Sequence, residues 1–233
     1  AVMWGRSLYR NIQRFILFQL TVNVVASLIV LAGAFMGTQS PLTVTQMLWV
    51  NLIMDTFAAI ALATLPPSAD VMRDKPRART SFIISRSMAW FITVVGGLFF
   101  VALFGLMWYF RHTDLDSLTQ MWQVPVLSVD KGFSPYELSL FFTIFVFLQF
   151  WNLFNAKAFA SGRSALHFHG CSEFVTIALF ILIGQVAIVE LGRQIFNVVP
   201  VSLTDLLIII GGTSVVLWVG ELFRLFGRKR KNV

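Results

Sequence analysis

Charged residues are scarce in this chain of 233 residues. They make up 12% of it, whereas about a quarter of the residues in a typical soluble domain are charged. Hydrophobic residues account for 57%, and the mean hydropathy is +0.78. These values lie far outside the usual range for a soluble domain. The composition therefore predicts an integral membrane protein.

Cysteine and histidine are nearly absent. The single Cys171 excludes an internal disulfide framework and fits a thiol that faces a reducing compartment. His167 and His169 lie near it, but three potential ligands in one short loop indicate a solvated loop and not a metal site. The chain also lacks a phosphate-binding G-x-x-x-x-G-K-[ST] loop and a nucleophile paired with a base, so it carries no visible machinery for hydrolysis.

Acidic residues are fewer than basic ones, 11 against 18, which gives a formal net charge of +7. The basic residues lie at the ends of apolar runs, so we read them as flanking charge and expect no nucleic-acid partner. If the N-terminus is cytosolic, fifteen of them fall on the cytosolic side and only Arg111, Lys131 and Arg193 on the other. Because cytosolic loops carry the excess of Lys and Arg, both termini are predicted to be cytosolic.

Six unbroken apolar runs are each about as long as a membrane-spanning helix must be. We predict helices at about residues 11–36, 44–65, 87–110, 137–157, 173–192 and 203–226. The runs lack the alternation of a membrane β-barrel. The sequence thus predicts an all-α membrane protein, a bundle of six transmembrane helices that forms one transmembrane domain over residues 1–233.

Asp55 lies near the middle of the second apolar run, WVNLIMDTFAAIALATLPP. An ionised carboxylate at mid-bilayer is costly unless it is paired or binds a cation. No Lys or Arg occurs in the apolar part of any predicted span. Asp55 must therefore be protonated, hydrated or bound to a cation, and we favour a functional role.

Two asparagines can act with this carboxylate. Asn51 precedes Asp55 by four residues, which in an α-helix places both side chains on one face. Asn23 lies at a similar depth in the first helix. These oxygens suit Ca²⁺ or another hard cation, but Ca²⁺ takes about 6 to 8 oxygens, so this chain supplies only part of a site. Hydrogen bonding between helices explains the two asparagines equally well.

A second polar face lies on the fourth helix, in LQFWNLFNAK. Gln149, Asn152 and Asn155 follow a three-residue spacing there. They either contribute to an ion path or fasten the helix to its neighbours, and we favour fastening because none is charged. Gln149 and Asn152 are therefore secondary candidates for the metal site. Gln185 in the fifth helix raises the same question.

Several segments resemble the C-terminal membrane half of P-type calcium-transporting ATPases of the plasma-membrane type. The similarity is dense in GRSLYRNIQRFILFQLTVNVVAS, most specific in WVNLIMDT followed by LATLPP, and thinner in TIFVFLQFWNLFNAK. The resemblance implies the last six of ten membrane helices. It also implies that Asn51 and Asp55 bind transported Ca²⁺, with Asn23 at or beside the same site and the missing oxygens on an earlier helix outside this sequence.

The resemblance carries further expectations. Ala26 and Met54 stand where calcium pumps of the reticulum type have an acid and a hydroxyl residue, which favours a single transported Ca²⁺. ATP and Mg²⁺ act in the missing part of the parent protein, because the D-K-T-G-T phosphorylation motif is not in this sequence. The expected partners are the lipid bilayer and the N-terminal half of the same pump. No calmodulin-binding tail is visible. The expected location is a plasma membrane or a bacterial inner membrane.

A different class of function stays open at this point. The chain could be a stand-alone protein of six helices that acts as a cation channel, an exchanger subunit or a membrane scaffold. Ion selectivity is a separate question, since Mn²⁺ or a proton can use the same carboxylate.

Overall fold

The computed structural model describes residues 1–37, 40–73 and 82–229, and within these ranges it contains helices and no β-strand. Six helices are long and apolar enough to cross a membrane. They are α1, Val2–Phe35; α2, Val44–Ala63; α3, Arg86–Arg111; α4, Pro135–Ala158; α5, Ser172–Leu191; and α6, which consists of Leu203–Thr213 and Val215–Lys229. The all-α bundle of six transmembrane helices predicted from the sequence is confirmed.

Helix α1 begins at Val2, whereas the apolar pattern had placed its start near residue 11. The extra turns carry polar side chains that the structure buries. Asn11 donates a hydrogen bond from Nδ2 to the carbonyl of Leu65 at 3.1 Å, and the hydroxyl of Ser7 accepts one from the backbone N–H of Ser68 at 3.2 Å. Apolar length thus predicts too short a helix for α1, because the start of this helix is stabilised by polar contacts with the chain that follows α2.

Helix α4 is the centre of the bundle. In its most apolar 18-residue window 83% of the residues are buried, compared with 22–44% in the other five spans. It packs against α1, α3, α5 and α6, while α2 packs against α1 and α5. Phenylalanine side chains fill the space around α4, and Phe141, Phe142 and Phe145 are fully buried. The remaining helices therefore expose more of their apolar surface, as helices in contact with lipid do.

The connection between α3 and α4 is held to the bundle by two buried carboxylates. Glu137 accepts hydrogen bonds from the ammonium group of Lys131 at 2.8 Å and from the backbone of Leu115 at 3.3 Å. Asp205, at the start of α6, accepts one from the hydroxyl of Tyr136 at 2.6 Å and one from the backbone of Leu118 at 3.0 Å. Both carboxylates are shielded from solvent. They link the loop to the start of α4 and to the start of α6.

The contact between α4 and α6 yields a test of the packing. Asn155 donates a hydrogen bond to the carbonyl of Val216 at 2.9 Å and accepts one from Arg224 at 2.7 Å, and a Cβ atom on Gly220 would overlap its amide group. We expect Gly220→Ala to destabilise the protein by about 1–3 kcal/mol, because the buried amide must leave both partners. The measurement is the apparent unfolding temperature in detergent.

Gly212 of the same helix is the matched control. A Cβ atom there would meet nothing within 4 Å. Because Ala has the higher helix propensity, Gly212→Ala should leave the unfolding temperature unchanged or raise it slightly. Equal decreases in the unfolding temperature of the two variants would show that the fit between Gly220 and Asn155 contributes nothing to stability.

Candidate metal centre

Asp55 is a buried carboxylate that has no hydrogen-bond partner in the part of the chain that the structure describes. Its side chain is 3% exposed, and neither of its oxygens has a hydrogen-bond partner among the described residues. Helix α2 carries it, between α1 and α5. A buried ionised group normally finds an opposite charge or several hydrogen bonds, because leaving water without them is costly. The two oxygens of Asp55 are therefore available to a ligand.

The turn before Asp55 is not α-helical. Residues Trp49–Met54 form a π-helix inside α2, and the backbone N–H of Asp55 bonds to the carbonyl of Val50, five residues earlier. Such turns are rare, and they are frequent at functional sites. The sequence does not predict this feature, since the apolar pattern of WVNLIM does not distinguish a π-turn from an α-turn.

The π-turn is held against α5 by Trp49. Its indole nitrogen donates a hydrogen bond to Oε1 of Gln185 at 3.1 Å, and its ring packs edge-on against Phe196 at 6.4 Å between centroids. Gly184 leaves room for the indole, because a Cβ atom at that position would lie 3.1 Å from the ring. Gln185, whose role the sequence left open, thus fastens α2 to α5.

The structure places the two predicted asparagines differently from Asp55. Asn51 is exposed at the surface of the described bundle, and Asn23 in α1 is half-buried. The prediction that Asn51 lies beside Asp55 rests on α-helical geometry, in which a spacing of four places both side chains on one face. Residues Trp49–Met54 form a π-turn instead. The carboxylate faces the interior of the bundle, whereas Asn51 lies at its surface.

The polar residues of α4 have different roles. Asn155 fastens α4 to α6, as favoured from the sequence. Gln149 and Asn152 are fully buried and form no such bond within the described residues. Nine buried side-chain nitrogen and oxygen atoms lack a partner in this part of the chain, and six of them belong to Asp55, Gln149 and Asn152. Unsatisfied polar atoms in a native core call for a ligand, a water or an ion.

Each of these side chains is of a kind that suits a hard cation. A carboxylate and amide oxygens are the donors that Ca²⁺ and similar ions prefer, whereas Zn²⁺ sites use mainly Cys and His. The described residues contain no cluster of three or more His, Cys, Asp or Glu residues that could hold a metal ion. His167 and His169 lie exposed in their loop, and Cys171 is buried. Asp55 is the acidic side chain of α2, and it is buried without a hydrogen-bond partner among the described residues.

Comparison with known proteins agrees with the fold and the resemblance. The family described as cation transporting ATPase, C-terminus, matches residues 39–226. This chain belongs to that family.

Relatives of the family confirm the similarity to plasma-membrane calcium pumps. Human plasma membrane calcium-transporting ATPase 4 is 35% identical over 208 residues, which cover 88% of this chain and 16% of the relative. Human plasma membrane calcium-transporting ATPase 1 is 37% identical over 225 residues, or 94% of the chain and 18% of the relative. The rat ATPase 3 is 38% identical over 213 residues, with shares of 87% and 16%. The chain thus spans about a sixth of the length of these relatives.

Proposed function

We propose that this chain is the ion-translocating membrane part of an ATP-driven Ca²⁺ efflux pump. The observation that carries the proposal is Asp55, a buried carboxylate without a protein partner in the described residues, beside a π-turn. The membership in a family of cation-transporting ATPases supports it. The relatives that are named as plasma membrane calcium-transporting ATPases support Ca²⁺ as the transported ion and the plasma membrane as the location.

In this proposal Asp55 provides the anionic ligand, and Asn51 and Asn23 provide amide oxygens. Gln149 and Asn152 are secondary ligands, since their buried oxygens also lack partners within the described residues. Ala26 and Met54, which stand where a second site would need oxygen, are both buried among apolar neighbours. One Ca²⁺ per cycle fits this ligand set better than two.

The exposed position of Asn51 supports a contact between α2 and further membrane helices. Leu52, Ile53 and Ile60 are also exposed on α2, so Asn51 lies on a largely apolar face of the bundle. We propose that this face packs against the remaining membrane helices of the same pump. Those helices would supply the oxygens still needed for a shell of about 6 to 8. ATP and Mg²⁺ would act in the remainder of the pump, and residues 1–233 would form one transmembrane domain with both ends cytosolic.

The proposal is tested by transport with the full-length protein in sealed vesicles. We expect accumulation of ⁴⁵Ca²⁺ against its gradient when ATP and Mg²⁺ are present, and release of the accumulated ion by a Ca²⁺ ionophore. A vesicle without ATP is the control. Mn²⁺ added in excess measures ion selectivity, because an ion that binds at the same site must reduce the accumulation of ⁴⁵Ca²⁺.

Two results would contradict the proposal. Downhill Ca²⁺ movement that is independent of ATP would identify a channel instead of a pump. No Ca²⁺ movement in either condition, in vesicles shown to contain folded protein, would exclude Ca²⁺ as the cargo.

A further inference from the structure

A basic cavity of about 70 Å³ lies at the end of the bundle that contains the start of α1. The start of α1, the chain after α2, the end of α4 and the loop of residues 159–171 enclose it. This volume is several times the 10–15 Å³ or so that a single water needs. Among the described residues, the cavity is lined by no acidic side chain and by six basic or imidazole ones: Arg10, Arg14, Lys157, Arg163, His167 and His169.

Two of the cations are buried. Arg14 is 7% exposed and Lys157 is 6% exposed, and neither forms a salt bridge in the described part of the chain. The Glu221 carboxylate lies close enough to interact electrostatically with Lys157, but it is itself paired with Arg224. The two buried like charges are still unfavourable, because each loses its hydration and repels the other. An anion in the cavity would relieve both penalties.

The protein partners of these cations are neutral oxygens. Arg14 donates hydrogen bonds from Nε to the carbonyl of Phe159 at 3.1 Å and from Nη1 to the amide oxygen of Asn11 at 3.0 Å. Lys157 donates one to the carbonyl of His167 at 3.0 Å, and its Nζ lies 4.3 Å from the ring centroid of Phe168. These contacts fix both head groups in position, while Nη2 of Arg14 has no hydrogen-bond partner among the described residues.

The loop that closes the cavity is anchored on α6. The backbone N–H of Ala165 donates a hydrogen bond to Glu221, which also forms a salt bridge with Arg224 at 2.9 Å. Ser161 and Ser164 from this loop line the cavity with hydroxyl groups. The hydroxyl of Ser161 donates to the carbonyl of Ala158 at 2.7 Å, and that of Ser164 bonds to Glu221. The site thus combines two fixed cations and an exposed Arg163 on an anchored loop.

We propose that this cavity binds a phosphate group. Guanidinium and ammonium groups side by side match the several oxygens and the charge of a phosphate. The phosphate belongs either to the headgroup of an anionic lipid or to a soluble ion, since both offer the same oxygens. This inference is independent of Ca²⁺ transport, because it rests on residues at the end of the bundle and not on Asp55.

The experiment measures binding to the purified full-length protein without ATP or Ca²⁺. Equilibrium dialysis in detergent with [³²P]phosphate detects a soluble ligand. Nanodiscs that contain phosphatidic acid in phosphatidylcholine, compared with phosphatidylcholine alone, detect a headgroup by the amount of phosphatidic acid that copurifies. Arg14→Gln removes a buried cation, and Arg163→Gln removes an exposed one. Arg86→Gln is the control, because Arg86 is exposed and does not line the cavity.

We expect Arg14→Gln to weaken binding about 10-fold or more, as the loss of a charged hydrogen bond does, and Arg163→Gln to weaken it by about 2- to 5-fold. Arg86→Gln should bind as the unmodified protein does. Binding of phosphate in detergent identifies a soluble ligand, and enrichment of phosphatidic acid alone identifies a lipid headgroup. Binding of neither probe, or binding that both cavity variants retain in full, would overturn the inference. Arg163→Gln keeps the test decisive if Arg14→Gln does not fold.

Discussion

The substitution Asp55→Asn should strongly weaken the Ca²⁺ affinity of transport by the full-length protein and leave its folding intact. The variant keeps the shape of the side chain and removes its charge. If Asp55 is the anionic ligand that this chain brings to the ion, the apparent Ca²⁺ affinity should fall by at least about 100-fold, since even indirect partners of metal ligands contribute 10- to 100-fold. The measurement is the Ca²⁺ concentration that gives half-maximal ATP-driven uptake.

Stability separates this role from a structural one. Neither oxygen of Asp55 has a protein partner in the described residues, so the amide breaks no hydrogen bond that the structure shows. A neutral side chain is also cheaper to bury than an unpaired carboxylate. In Ca²⁺-free detergent the unfolding temperature should therefore be equal to, or above, that of the unmodified protein. Unchanged Ca²⁺ affinity, or a large loss of stability, would contradict the assignment of Asp55 as an ion ligand.

The substitution Asp205→Ala should have the opposite effect on stability. We expect it to destabilise the protein strongly, although Asp205 lies outside the candidate metal site. Asp205 is fully buried and accepts hydrogen bonds from Ser117, Leu118 and Tyr136, at 2.6–3.0 Å. Its removal leaves three donors without their acceptor and releases the loop from α6. We expect a loss of about 3 kcal/mol or more, because a hydrogen bond to a charged group contributes about 1.5–3 kcal/mol.

The measurement is the temperature at which half of the purified protein leaves the monodisperse peak in size-exclusion chromatography. Asp116→Ala is the matched control, because Asp116 is an exposed carboxylate in the same loop. Tyr136→Phe removes one of the three donors and should produce a smaller decrease. If the Asp205 and Asp116 variants unfold at the same temperature, the hydrogen bonds of Asp205 do not stabilise the loop.

The two aspartates show what a sequence can and cannot distinguish. A carboxylate in an apolar run was recognisable as exceptional, and Asp55 was singled out on that ground. Asp205 was not, since it stands at the beginning of an apolar run where an acidic residue near a helix start is ordinary. Its partners lie 69 to 88 residues earlier in the chain. Such contacts depend on how the helices pack, and a local pattern does not contain them.

The amino-acid sequence alone determined the number of helices, their approximate ends except the start of α1, the candidate carboxylate and the family, because apolar length and short motifs are local properties. Tertiary structure decided the rest. Only the packed bundle shows the π-turn before Asp55, the exposed Asn51, the unpaired amides of Gln149 and Asn152, and the cations around the basic cavity. The physical reason is that burial and hydrogen-bond partners are set by side chains that lie far apart in sequence and meet only after the helices assemble.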